Sequence, residues 1–149
     1  MPLPQTKPLV LLVEAVRAAS QRMQAVTDRT NREFGLQAPL RDVLDVLQRD
    51  GPQAVPAISR TAGVSRQHVQ QCVDRLAERN LVTARPNPAH RRSSLIVLSP
   101  DGARLMGDIA RHEKAILETL EAELQGAPFE AALAVLKRFT AALAGPEPS

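Results

Sequence analysis

Apolar side chains recur along the chain at intervals that predict six helices and one pair of strands. Up to about residue 32 they return every three or four positions, which is the period of one helix face. These positions are Leu9, Leu12, Val16, Ala19, Met23, Val26 and Thr30. Gly35 ends this helix, and Pro39 begins a second one that extends to about residue 50. Its apolar face carries Leu40, Val43, Leu44 and Leu47.

A short helix beginning at Pro56 and a longer one ending near Asn80 are separated by the turn Gly63-Val64. Ser65 follows the turn and is predicted to cap the second helix, because serine oxygens accept from the first free N–H groups. Two helices joined by a tight turn that contains glycine are typical of a helix-turn-helix. The apolar face of the second helix carries Val69, Cys72, Val73 and Leu76.

Residues 81–85 and 94–98 predict two strands of a hairpin, since branched side chains favour extended structure. The loop between them contains two prolines and ends in Arg91-Arg92. Ser99, Pro100 and Asp101 then predict a helix start, with a cap, a proline in the first turn and an acid near the positive dipole end. A last helix carries Phe129, Leu133, Leu136, Phe139 and Leu143.

The predicted fold class is mainly α with a small β-hairpin: a winged helix-turn-helix with long N- and C-terminal dimerisation helices. The expected divisions are an N-terminal dimerisation helix (1–36), the winged helix-turn-helix (37–99), C-terminal dimerisation helices (100–144) and a flexible tail (145–149). The apolar faces of the outer helices have little to cover inside a three-helix core. We therefore expect them to pack against each other and against a second copy of the chain.

The positive charge is concentrated in the middle of the chain. The 149 residues carry a net charge of +3, whereas residues 54–98 alone contain seven arginines against two carboxylates, a net charge of +5. Guanidinium groups suit phosphate and guanine, so a basic centre between near-neutral and acidic ends fits a polyanionic partner. A solvated helix face would give the same pattern, and charge alone does not separate these interpretations.

Composition excludes several other classes of protein. Three Phe with no Tyr or Trp cannot supply the stacking platform of single-stranded nucleic acid binding. One cysteine excludes an internal disulfide framework and fits a cytoplasmic protein. No run approaches the roughly 18 apolar residues of a membrane span. No catalytic triad order, glycine-rich phosphate loop or paired carboxylates occur, so we expect neither an enzyme nor a cofactor.

Several ordered motifs resemble those of the MarR family of transcriptional regulators. Gly63-Val64-Ser65, Val69, residues 73–76 and residues 80–82 are similar to the family's recognition helix and first wing strand. Arg85, Pro88, Arg91-Arg92, residues 97–99 and Gly102 are similar to its wing and to the start of its dimerisation helix.

The resemblance implies a homodimeric repressor that binds a palindromic operator in double-stranded DNA and is released by a small lipophilic or aromatic-acid effector. One alternative is a winged-helix DNA-binding protein without an effector, acting architecturally or as an activator. Another is an interaction module that has lost DNA binding. The chain departs from the family at His90, where an aspartate usually pairs with a wing arginine, and at Val55-Pro56, where a Ser or Thr cap is usual.

The resemblance also indicates DNA-contacting residues. Base contacts in the family come from positions matching Gln67, His68 and Gln71, and Gln70 is a neighbouring candidate; glutamine can bond an adenine edge. Ser65 and Arg66 lie at the helix start, where free N–H groups favour phosphate. Arg75 is either a phosphate contact or part of a structural ion pair. Arg92 matches the arginine that enters the minor groove, and Arg91 is assigned to phosphate.

The sequence offers two further candidate sites. His68 and Cys72 are four residues apart, but a metal site needs three or four ligands and no other spacing completes one. We therefore expect no metal and a buried thiol that acts as a small hydrophobe. An effector pocket would use Arg41 and His112 for an anion, with apolar walls from Met23, Leu40 and Met106. The alternative is that these five are ordinary core or surface residues.

Overall fold

A computed structural model describes residues 6–145 and contains, over that range, six helices and one antiparallel pair of strands. They are α1 (Thr6–Glu33), α2 (Ala38–Asp50), α3 (Val55–Ala62), α4 (Arg66–Glu78), β1 (Val82–Arg85), β2 (Leu95–Leu98), α5 (Pro100–Glu123) and α6 (Phe129–Ala144). The predicted fold class and element order are confirmed. The predicted tail lies outside the described residues, apart from Gly145. The chain divides into two compact units at residue 113.

The core of the first unit is formed by apolar faces of α2, α3 and α4, closed by the strands and by the first turns of α5. Leu44, Ile58, Val69, Leu76 and Ile109 are all 0% exposed. Full burial of such a side chain contributes about 1.5–3 kcal/mol. All four apolar positions predicted for α4 are buried, so the orientation of this helix follows directly from its sequence pattern.

The turn between α3 and α4 is fixed by a small set of hydrogen bonds. Gly63 has φ +68°, a left-handed conformation that glycine adopts without steric cost. The N–H groups of Gly63 and Val64 both donate to the Ser59 carbonyl, at 3.0 and 3.3 Å. The Ser59 hydroxyl donates to the Val64 carbonyl at 2.6 Å. The start of α3 lacks a side-chain cap, as its proline-containing sequence predicts.

A residue outside the hairpin, Gln53, also pairs with β2, which the sequence pattern did not predict. Val82 pairs with Leu98 and Arg85 with Leu95 in the antiparallel register. On the other side of β2, Gln53 N–H donates to the Ile96 carbonyl at 3.1 Å, and Ile96 N–H donates to the Gln53 carbonyl at 2.8 Å. The segment before α3 therefore extends the sheet at the base of the wing.

The start of α5 packs closely against the chain that leaves α4. The Ser99 hydroxyl accepts from Gly102 N–H at 2.9 Å, which confirms the predicted cap, and donates to the Asn80 carbonyl. Ser99 N–H donates to the Leu81 carbonyl at 3.0 Å. A Cβ added at Gly102 would lie 2.0 Å from the Leu81 carbonyl oxygen. The backbones approach so closely that only glycine fits at position 102.

The predicted apolar faces of the outer helices are present, and much of their surface is exposed in the chain as described. On the predicted face of α1, Leu9, Met23 and Val26 are 51%, 70% and 39% exposed. In the second unit, α6 contains no buried residue, and Leu133 and Leu143 are 52% and 72% exposed. No helix within residues 6–145 combines the length and apolarity that crossing a membrane requires.

We predict that Gly102→Ala destabilises the protein by about 1–3 kcal/mol, because the new methyl group must displace the backbone at Leu81. Gly107→Ala is the matched control on the same helix, since a Cβ there meets only the flexible Arg111 side chain at 3.6 Å. That control should gain roughly 0.5–1 kcal/mol from helix propensity. Urea unfolding measures both variants, and equal stabilities would contradict the packing constraint.

Candidate nucleic-acid interface

The N-terminus of α4 is organised by Ser65, as predicted. Its backbone is extended, at φ −66° and ψ 152°, and its hydroxyl accepts from His68 N–H at 3.1 Å. Because the apolar face of α4 is buried, its polar side chains face solvent. Every residue predicted to contact DNA is exposed: Ser65, Arg66, Gln67, His68, Gln70, Gln71, Arg75, Arg91 and Arg92.

The wing and α4 line a common groove of about 410 Å³. Arg92 and Ser93 contribute from the wing, Gln70 and Asp74 contribute from α4, and Val73 belongs to its apolar lining. The structure therefore brings the arginine predicted for the minor groove to the same surface as one of the candidate glutamines, although 22 positions separate them in the sequence.

A second groove, of about 380 Å³, is lined by His68, Gln71 and Arg75 together with Pro39 and Cys72. Three predicted contact residues thus share one concave surface. In the described part of the chain Arg75 forms no ion pair. Of the two interpretations left open for Arg75, the structural ion pair is therefore not observed, and the phosphate contact stays a prediction.

The candidate base-reading glutamines differ in whether their side chains already form hydrogen bonds within the protein. The Gln70 side-chain amide donates to Asp74 Oδ1 at 2.8 Å. Its carbonyl oxygen and second N–H are still available, since an amide side chain offers two donors and one acceptor atom. Gln67 and Gln71 have no side-chain hydrogen bond to any described residue. These two can therefore turn to a base edge without breaking an internal contact.

The wing loop is ordered by Asn87, which sequence reasoning missed. Asn87 Oδ1 accepts from Ala89 N–H at 3.0 Å, and its carbonyl accepts from His90 N–H at 3.2 Å. Neither Arg91 nor Arg92 forms an ion pair within residues 7–145. Asparagine bonded to the backbone two residues on is a recognised turn former. An Asn flanked by Pro86 and Pro88 was the available signal.

Cys72 has the surroundings of an unreactive thiol. Its side chain is 4% exposed, and its Sγ lies 3.9 Å from His68 Nε2. Burial raises the pKa of the thiol, an effect that the nearby Arg75 charge only partly offsets. The thiolate, which is the reactive form, is therefore disfavoured. Over the described residues no three His, Cys, Asp or Glu side chains are placed to hold a metal ion.

Arg41, predicted to bind an anionic effector, is occupied by groups of the protein itself. Its Nε donates to Asp45 at 2.8 Å, its Nη2 donates to Glu113 at 3.0 Å, and its Nη1 reaches Asn31 Oδ1 at 3.5 Å. Burial acts to lower the pKa of Arg41, but the bonds and charges of the two carboxylates outweigh it and raise that pKa above its ordinary value. This guanidinium therefore ties α1, α2 and α5 together.

The other expected pocket residues lie in different surroundings. Leu40 and Met106 are 2% and 5% exposed and belong to the hydrophobic core, whereas Met23 is 70% exposed. His112 Nε2 lies 3.3 Å from a Glu33 carboxylate oxygen, and its ring meets Phe34 edge-on. The structure thus gives core, surface or ion-pair positions to these residues, and an effector pocket built from them stays a prediction.

We predict that Ser65→Ala lowers the free energy of unfolding by about 1 kcal/mol, because the His68 N–H loses its partner. Ser94→Ala, at an exposed wing position, is the control and should leave that free energy within about 0.5 kcal/mol of the native value. Denaturant titration followed by circular dichroism makes the comparison. The capping role would be wrong if both variants unfolded at the same denaturant concentration.

Known proteins resemble this chain in both sequence and fold. A MarR family profile matches residues 34–93, from the end of α1 through most of the wing loop. An uncharacterised protein of Mycobacterium tuberculosis (strain H37Rv) is 32% identical over 99 residues, covering 66% of this chain and 69% of that protein. The solved structure of a MarR family transcription regulator has a TM-score of 0.78 and 23% identity, covering 96% of this chain and 97% of the other.

A second solved structure is that of BpsR from Bordetella bronchiseptica, whose DNA binding is regulated by 6-hydroxynicotinic acid. It has a TM-score of 0.64 and 25% identity, covering 87% of this chain and 98% of that one. The profile match spans the helix-turn-helix and the wing loop, which are the elements that expose the polar and basic surface described above. The chain therefore belongs to the MarR family, whose members are DNA-binding transcription regulators rather than enzymes.

Proposed function

We propose that this regulator is a homodimeric repressor that binds a palindromic operator and is released by a small molecule. The observation that carries the proposal is the exposed surface shared by α4 and the wing, where all nine predicted contact residues face solvent. The N-terminal part of a recognition helix reads the major groove. The proposed base readers there are Gln67, His68 and Gln71, with Gln70 alongside them.

The proposed phosphate contacts surround these readers. Ser65 and Arg66 lie at the N-terminus of α4, where free N–H groups and the helix dipole favour an anion. Arg75 lies further along the same helix, and Arg91 lies on the wing. Arg92 is assigned to the minor groove, whose negative potential attracts arginine. The +5 charge of residues 54–98 supports binding to a polyanion.

Dimerisation is supported by the uncovered apolar surface of each unit. Leu9 and Met23 on α1 and Leu133 and Leu143 on α6 are each at least 51% exposed. Several large apolar side chains exposed along one helix face indicate an interaction site in soluble proteins. A second copy of the chain is the proposed occupant, because a symmetric pair of DNA-binding units matches the symmetry of a palindromic site.

Effector release is supported by the relative BpsR, whose DNA binding is regulated by 6-hydroxynicotinic acid. An aromatic acid of that class would compete with Asp45 and Glu113 for Arg41. The second candidate function is a DNA-binding protein without an effector. The occupied state of Arg41 and the burial of Leu40 and Met106 favour that version. Measuring operator binding by mobility shift with and without 6-hydroxynicotinic acid tests release by this chemical class.

Selection of bound genomic fragments at two salt concentrations tests the DNA-binding proposal. A palindromic consensus supports an operator, salt-dependent binding without a consensus supports an architectural role, and no binding refutes both.

We predict that Arg92→Ala weakens binding to the selected operator at least about tenfold, since it removes both a charge and a groove contact. Mobility shift at fixed salt measures the change.

Arg104→Ala is the matched control for Arg92, because it removes the same charge from an exposed α5 position that is outside the proposed interface. It should bind the operator as the native protein does. If both variants bound equally well, the wing would have no part in recognition. For a residue that contacts phosphate, such as Arg91, alanine should also reduce the slope of log affinity against log salt by about one.

We predict that Leu133→Glu shifts the protein from dimer to monomer at low micromolar concentration, because a carboxylate cannot be buried unpaired in an apolar interface. Sedimentation velocity measures the distribution. Arg138→Glu, which also places a carboxylate on α6 but off the apolar face, should remain dimeric. A native protein that sediments as a monomer would overturn the proposed assembly.

A further inference from the structure

Arg79, the C-cap residue that follows α4, makes a long-range contact that neither the core nor the proposed DNA surface requires. Its Nη1 donates to the Gly35 carbonyl at 2.9 Å, across 44 positions of sequence. Gly35 has φ +64° and is the residue at which the chain turns away from the end of α1. The contact therefore joins the C-terminal end of α1 to the C-terminal end of α4.

The electrostatics of this junction favour a guanidinium. The last turn of a helix leaves carbonyl groups unsatisfied and carries a partial negative charge. Two such ends meet at Arg79, and within the described range no carboxylate pairs with it. A guanidinium can donate in several directions at once from a rigid plane, whereas an ammonium is a compact point charge. The Arg79 guanidinium thus bonds the turn after α1 and places its charge where both negative helix ends meet.

The two residues after Arg79 are also fixed. The Asn80 carbonyl accepts from the Ser99 hydroxyl, and the Leu81 carbonyl accepts from Ser99 N–H at 3.0 Å and lies against Gly102. The end of α4 is consequently linked to α1 through the Arg79 side chain, and to the start of α5 through the hydroxyl and the N–H group of Ser99. The α1 link depends on the exposed Arg79 side chain, so a substitution there removes it without changing a buried residue.

We propose that Arg79 is a positioning residue that holds the recognition helix at a fixed place relative to α1, and so sets the operator half-site spacing without contacting DNA itself. The proposal rests on the dimeric, operator-binding function proposed above, with α1 contributing to the dimer. One added base pair separates the half-sites by about 3.4 Å and rotates one against the other by about 35°. A rigidly placed pair of recognition helices must therefore discriminate between spacers.

Binding to palindromes with the preferred spacer, and with one base pair more or fewer, tests the proposal. The native protein should lose about tenfold or more in affinity on the altered spacers. Arg79→Gln should discriminate less than about threefold while keeping the native salt slope, because no phosphate contact is removed. Arg79→Lys, which keeps the charge but not the planar fork, provides a second folded variant and should lie between them.

Arg66→Gln is the control for a phosphate contact on the same helix. It should reduce the salt slope by about one and keep the native spacer discrimination. If Arg79→Gln behaved like this control, Arg79 would be a DNA contact and the proposal would be overturned. A native protein with no spacer preference would instead refute the proposed operator-binding dimer.

A measurement that needs neither DNA nor a dimer distinguishes a failure of the Arg79 proposal from a failure of the proposed operator-binding dimer. Spin labels at Gln21→Cys on α1 and Gln67→Cys on α4, in a Cys72→Ala background diluted with unlabelled protein, report the distance between these helices within one chain. Arg79→Gln should shift or broaden the distance distribution from electron paramagnetic resonance. An unchanged, narrow distribution would show that Arg79 does not position α4, whatever the result with DNA.

Discussion

Four apolar side chains on one face of α4, at positions 69, 72, 73 and 76, are buried against α2, α3 and the strands, and their burial decides which residues the helix exposes. Each buried Val or Leu among them contributes on the order of 1.5–3 kcal/mol, so rotating α4 to expose a different face would cost much of the stability of a small domain. The polar side chains between them therefore have a defined direction. The Ser59–Val64 turn and the Ser65 cap then fix where the helix begins.

The sequence predicted those features whose signals are local. The helix periods, the caps at Ser65 and Ser99 and the hairpin each depend on residues a few positions apart, and all were found where expected. Four other features escaped prediction. Gln53, Arg79 and Gly102 act through contacts between segments distant in the chain, and Asn87 acts through a side chain within a loop.

The residues proposed to bind an effector could not be assigned from their neighbours along the chain. Arg41 is a cation on a predicted helix, and nothing in its neighbourhood along the chain indicates that Glu113, 72 positions away, would pair with it. Leu40 and Met106 satisfied the apolar pattern of a pocket wall and of a core equally well, and the structure places both in the core. Sequence pattern gives burial along one element, whereas the choice between core and cavity depends on how elements pack together.

The paired hydrogen bonds between Gln53 and Ile96 have a mechanical consequence. The segment that leads into α3 and the second strand of the wing share one sheet, so the base of the wing cannot shift without dragging the start of the helix-turn-helix. The loop between the two strands lies beyond this paired region, and Asn87 forms its turn. A displacement of the wing base is therefore transmitted to the segment that leads into α3.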